Sequence, residues 1–131
     1  MRLYIDTSAA MKIFLDEAES DACAEELFKA LKQGGELIAS TWMLAELTSV
    51  MRRMYKVDSI DGLNSFLGQC RLVETSAAHI HRVREEKWKL RSADALHLAC
   101  ALDVQATHIL TYDKELASVA RINGLKAITP R

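Results

Sequence analysis

Four acidic residues stand at the borders of apolar runs, and their placement is the most chemically telling feature of this 131-residue chain. Asp6 follows the run Leu3-Tyr4-Ile5 and precedes two hydroxyls, Thr7 and Ser8. Glu46 lies in "WMLAELTSV", Asp94 near the start of "SADALHLACA", and Asp113 directly after "THILTY". Each has a plain structural explanation. Asp6 and Asp113 make good N-caps, Asp94 suits the first turn of a helix, and Glu46 suits a solvated helix position. Independent caps, however, have no reason to face one crevice. If the four converge, several carboxylates at close range cannot all stay ionised without a counter-charge. Either some protonate or hard divalent cations bind among them. An oxygen-only donor set favours Mg²⁺ or Mn²⁺ over zinc, and Mg²⁺ held by carboxylates leaves positions open for phosphate oxygens. The chemistry that follows is metal-assisted phosphoryl transfer, in which one ion activates water and another steadies the leaving oxygen.

The elements that must position these acids are legible as a switching periodicity. "RLYI" reads as a strand, followed by helices over about 8–15 and 20–33. In the second helix Cys23, Leu27, Ala30 and Leu31 mark one face, and Gly34-Gly35 supply a stop. "ELIAS" reads as a second strand, and "WMLAELTSVMRRMY" as an amphipathic helix with Leu44, Leu47, Met51 and Met54 inward. "SIDGLNSFLGQC" is a helix interrupted by Gly62 and Gly68, and "RLVET" is a third strand. "AAHIHRVREEKWKL" and "SADALHLACALD" follow as helices, the latter capped by Ser92. "THILTYD" is a fourth strand, "KELASVARI" a helix ended by Asn123-Gly124, and "LKAIT" a final short strand. Strands separated by helices require crossover connections and hence a mostly parallel sheet covered on both faces. The expectation is a single α/β domain over residues 1–131, built as a three-layer α/β/α sandwich. Parallel strands gather the residues after their C-terminal ends along one edge, the edge where open α/β sheets bind ligands. Asp6 and Asp113 end there, Glu46 can lean back over it, and Asp94 occupies a first helical turn.

Composition agrees with this reading. Half of the residues are hydrophobic, with one proline and five glycines, which suits a compact fold and excludes low complexity. No basic segment followed by an apolar run opens the chain and no window reaches membrane-span length, so neither a signal peptide nor a membrane partner is expected. Cys23, Cys70 and Cys100 fit no paired metal or disulfide spacing and are expected as free thiols in a reducing cytoplasm. The formal net charge of −1 means that any nucleic-acid partner must be held by a local basic patch.

These residues resemble the PIN-domain ribonucleases, and among them the VapC-type toxins of toxin–antitoxin pairs. The segments that carry the resemblance are "YIDTSAAMKIFL", "ASTWMLAELTSVMRR", "SADALHLACAL", "HILTYDKELASVA" and "GLKAITP", in order and nearly end to end. The resemblance implies a parallel five-stranded sheet with the first and fourth strands adjacent. It implies that Asp6, Glu46, Asp94 and Asp113 form an acidic quartet binding Mg²⁺ or Mn²⁺, with the hydroxyls of Ser8 and Thr111 in support. It further implies cleavage of RNA by metal-activated water, a homodimer, and silencing by a small antitoxin protein. Many relatives carry Phe where Leu116 stands, a change of packing that removes no ligand.

An RNA substrate would need cations beside the acids. Arg52, Arg53 and Lys56 offer one patch, and Arg82, Arg84, Lys87, Lys89 and Arg91 a second, although charge runs also form ordinary solvated faces. His97, flanked by Leu96 and Leu98, reads as a packed, hydrogen-bonded residue, with a proton shuttle as the other role. His79 and His81 alternate on a helix and point apart. Trp42 and Trp88 read as packed aromatics, with a wall of the groove as the other role for Trp42 and stacking on a base as the other for Trp88. Met43, Met51 and Met54 would suit either an adaptable surface for a partner helix or the core. Other acidic α/β folds fit poorly. A receiver domain needs paired acids after its first strand, a haloacid-dehalogenase-type phosphatase needs an Asp where Ser8 stands, and no glycine-rich turn offers a dinucleotide site. The remaining alternative is a non-catalytic interaction domain that binds a basic peptide in the acidic groove.

Overall fold

The computed structural model describes residues 1–54 and 60–131. The elements run β1 (Arg2–Ile5), α1 (Thr7–Phe14), α2 (Ser20–Lys32), β2 (Glu36–Ser40), α3 (Thr41–Arg53) and α4 (Ile60–Leu67). They continue β3 (Cys70–Val73), α5 (Ala77–Glu85), α6 (Ser92–Asp103), β4 (His108–Leu110), α7 (Lys114–Ile122) and β5 (Lys126–Ile128). The strands form one sheet in the order β3-β2-β1-β4-β5, and every neighbouring pair is parallel. The chain winds outward from β1 to β3 on one side and from β4 to β5 on the other. The direction therefore reverses between β1 and β4, which makes that boundary the place where a crevice opens.

Strand alternation divides the core into two layers. Leu3, Ile5, Leu37, Ala39 and Leu110 face a cluster with Cys23, Leu27, Met43 and Leu47 from α2 and α3. Tyr4, Ile38 and Ile109 face the other way, onto Leu98, Cys100, Leu116 and Ala120 from α6 and α7. Because both faces are covered, the strands read as unbroken apolar runs rather than alternating ones. Each fully buried Leu or Ile contributes about 1.5–3 kcal/mol. The sandwich and the parallel sheet are those expected.

Local chemistry sets the helix ends. The Ser40 hydroxyl caps α3 by accepting from the Met43 amide at 3.1 Å. At the end of α2, Gly34 takes φ +78°, and a side chain on Gly35 would meet the Ala30 carbonyl at 2.8 Å. The glycine stop is thus a backbone requirement.

Several expectations need correction. Helix α4 runs through Gly62, where a Cβ would find only ordinary contact with Phe14, and it ends just before Gly68. Helix α5 stops at Glu85, with Glu86 already extended at ψ 141°, so Lys87, Trp88, Lys89 and Leu90 are not helical. That stretch alternates charged and apolar residues with period two. It therefore lays Trp88 and Leu90 against the core from an irregular segment. Ser92 is the first residue of α6 rather than its cap, a position held by Arg91 without a side-chain bond. Met43 and Met51 are buried in the core, and Met54 lies past the end of α3, so they form no methionine surface. Leu31, expected inward, is partly exposed. The cysteines are free, as expected. Lys56 lies outside the described residues.

Candidate active site

Asp6 leaves the sheet at the end of β1 and caps α1, its Oδ1 accepting from the Ala9 amide at 2.9 Å and the Ser8 hydroxyl at 2.7 Å. The register pairs Ile5 with Leu110, so the next residues, Asp6 and Thr111, come side by side. The Thr111 hydroxyl donates to Asp6 Oδ2 at 2.5 Å and accepts from the Asp113 amide at 3.0 Å. Ser8 Oγ in turn accepts from the Tyr112 amide at 2.9 Å. These bonds tie the β1 and β4 exits together. Asp6 is only 2% exposed. Burial raises its pKa, and the nearby His97 ring with the Thr111, Ala9 and Ser8 hydrogen bonds draws it only part of the way back.

The other three acids arrive from three further elements. Asp113 caps α7 through the Leu116 amide at 2.8 Å. Asp94 sits in the first turn of α6, where burial, then the Asp113 and Asp6 carboxylates, push its pKa up to about 6. Glu46 projects from α3, its Oε1 accepting from the Thr7 hydroxyl at 2.6 Å and lying 2.8 Å from His97 Nε2. Burial alone would raise the Glu46 pKa, but the His97 and Thr7 bonds outweigh it and lower the pKa. Glu46 therefore stays ionised through the range in which Asp94 titrates.

All four acids line one open cleft of about 370 Å³, together with Ser8 and Arg53. The caps and the crevice are not alternatives, since Asp6 and Asp113 do both. Among the described residues, no three His, Cys, Asp or Glu side chains are gathered tightly enough to enclose an ion by themselves. The donor chemistry still fits a hard cation. The donors are carboxylates alone, and Asp94 carries the strain of like charge. Mg²⁺ commonly takes one or two carboxylates and completes its octahedron with water and phosphate oxygens. Asp6, Asp94, Asp113 and Glu46 are the residues that would hold it.

Of the basic residues singled out, Arg53 lines the acidic cleft, and Arg52 lines an adjoining groove along α3 with Thr41, Leu44 and Thr48. Lys87, Lys89 and Arg91 are exposed ahead of α6 and line no part of the cleft. Sequence reasoning named no partner for Thr7, which holds Glu46. It gave Tyr4 and Ser40 no place in the site, although they bond each other behind His97. One signal was present: Asp94 and His97, three apart on one helix, share a face.

The sequence model of the PIN domain matches residues 3–122. The chain belongs to the PIN-domain family. Among curated PIN-domain relatives it is 30% identical to Ribonuclease VapC47 of Mycobacterium tuberculosis, over 98% of this chain and 96% of that protein. It is 28% identical to Ribonuclease VapC46 of the same species, over 98% and 97% of the two chains. Solved structures with this PIN fold include VapBC2 from Rickettsia felis bound to a DNA fragment from their promoter. That match has a TM-score of 0.75 and 18% identity, and covers 98% of each chain. M. tuberculosis VapC20, described as a Sarcin-Ricin loop cleaving toxin, superposes with a TM-score of 0.71 at 14% identity, over 89% of this chain and 94% of that one. No helix among the described residues is long and apolar enough to cross a membrane.

Proposed function

We propose that this PIN-domain protein is a divalent-metal-dependent endoribonuclease of the VapC type, the toxin of a toxin–antitoxin pair. The observation that carries the reading is the meeting of Asp6, Glu46, Asp94 and Asp113, from four separate elements, in one cleft at the β1/β4 switch. The curated relatives called ribonucleases support it, because they match along nearly the whole chain. Held by these acids, Mg²⁺ or Mn²⁺ would supply an activated water and charge neutralisation on the phosphodiester. The chain's own part is to hold the acids in place. Ser8 and Thr111 orient Asp6, Thr7 holds Glu46, and the N-termini of α6 and α7 present Asp94 and Asp113. Arg53 is the proposed phosphate contact, standing in the cleft where the net charge is otherwise negative. A small antitoxin partner and a homodimer belong to the same proposal. The R. felis VapBC2 and Neisseria gonorrhoeae FitAcB structures support the antitoxin partner through a shared fold.

The test is cleavage of a panel of structured RNAs in Mg²⁺, Mn²⁺ and EDTA by the purified protein, beside Asp6→Asn prepared identically. Metal-dependent cutting that disappears in Asp6→Asn is expected. Equal cutting by both proteins would refute the assignment. The peptide-groove reading requires no ion, so failure of the wild-type protein to bind Mn²⁺ at all would favour it.

A further inference from the structure

His97 is 2% exposed, yet both of its ring nitrogens are engaged. Nε2 lies 2.8 Å from Glu46 Oε1 and 3.1 Å from the Thr7 hydroxyl. An ionised carboxylate only accepts, so Nε2 carries the hydrogen toward Glu46. Nδ1 lies 2.8 Å from the Tyr4 hydroxyl, which in turn lies 2.9 Å from Ser40 Oγ. Tyr4 is itself fully buried in the central strand β1, and Ser40 is pinned as the cap of α3, the helix that carries Glu46. The ring also stands edge-on to Tyr4, at 5.8 Å between centroids. The chain of contacts therefore runs from the sheet, through Tyr4 and His97, to one oxygen of the cleft carboxylate.

Both bonds to Glu46, from Thr7 and from His97, fall on Oε1. With both bonds on Oε1, the second oxygen, Oε2, has no hydrogen-bond partner among the described residues, and Glu46 lines the cleft. From this geometry we infer that His97, backed by Tyr4, is a positioning residue that presents Glu46 Oε2 to the cation site. Glu46 would otherwise sample several rotamers at the end of a flexible side chain, and a cation would have to fix them on binding. The inference rests on the nuclease reading above.

Mn²⁺ alone is the probe, titrated by electron paramagnetic resonance into metal-free wild-type protein, Asp6→Asn, Glu46→Gln, His97→Leu, His97→Gln and Tyr4→Phe. Losing an outer partner of a metal ligand costs about 10- to 100-fold in affinity, and His97→Leu is expected in that range. His97→Gln keeps a donor near the Nε2 position and should recover most of the loss, as a purely structural role would not allow. Tyr4→Phe keeps the ring in the core and should weaken binding roughly 2- to 10-fold, the worth of one hydrogen bond. In a His97→Leu/Glu46→Gln double variant, the loss should be no greater than for Glu46→Gln alone, since both act through one carboxylate. Wild-type affinity in folded His97→Leu and Tyr4→Phe, no rescue by His97→Gln, or additive losses in the double variant would each overturn the inference. Should His97→Leu fail to fold, Tyr4→Phe decides. Undiminished binding in Asp6→Asn would instead sink the cation site itself, and this inference with it.

Discussion

Replacing Asp94 with Asn should make the metal-free protein more stable at pH 8. The carboxyl of Asp94 has its pKa pushed from 3.8 to about 6, by burial first and then by Asp113 and Asp6. A rise of roughly two pH units, at about 1.4 kcal/mol each, makes ionised Asp94 about 3 kcal/mol less favourable in the fold than in the unfolded chain. The side chain is only partly buried, so solvent screening reduces this to about 1.5–2 kcal/mol. Asn also forfeits the attraction of a first-turn anion to the α6 dipole, about 0.5 kcal/mol. Charge burial wins, leaving a net gain of about 1–1.5 kcal/mol and a rise in Tm of roughly 3–6 °C. The sign of the pH dependence follows from the raised pKa. Between 3.8 and about 6 the folded protein binds more protons at Asp94 than the unfolded chain. The wild-type protein therefore recovers stability as pH falls through this window, and the advantage of Asp94→Asn should shrink by more than half by pH 4.5. Circular dichroism melts of both proteins in EDTA at pH 8 and pH 4.5 make the comparison. A lower Tm for Asp94→Asn at pH 8, or an advantage that does not change with pH, would refute the reasoning.

Two further outcomes follow from the same structure. Arg53→Ala should weaken RNA binding across sequences and lower the slope of log K against log salt by about 1, measured by filter binding of an uncleaved RNA with the Asp6→Asn protein; an unchanged slope removes Arg53 from the phosphate path. Leu47→Ala empties a fully buried position between α3 and the sheet and should cost about 2–5 kcal/mol in urea unfolding; a loss below 1 kcal/mol would mean that the two-layer packing described for this face is wrong.

Much of the architecture was written locally in the chain. Short apolar runs, helical periodicity and the glycines at 34 and 35 act over a few residues, so they announce strands, helices and stops without reference to the rest of the fold. The readings failed where two local patterns competed. Lys87–Leu90 carries a period of two directly after a helical run, and α4 tolerates a glycine, Gly62, of the kind that elsewhere in the chain stops a helix. That the four acids share one cleft could be expected from the sequence alone, because an acid after a parallel strand, in a first helical turn, or early in the helix that follows a strand has few places to go. Their chemistry could not. Thr111 reaches Asp6 across 105 positions of sequence only because β1 lies against β4, and Glu46 meets His97 across 51. Whether a carboxylate stays charged depends on how much water the surrounding elements exclude and which donors they aim at it. That is why Glu46 is held ionised while Asp94 is pushed toward neutrality: both are carboxylic acids, and packing decided between them.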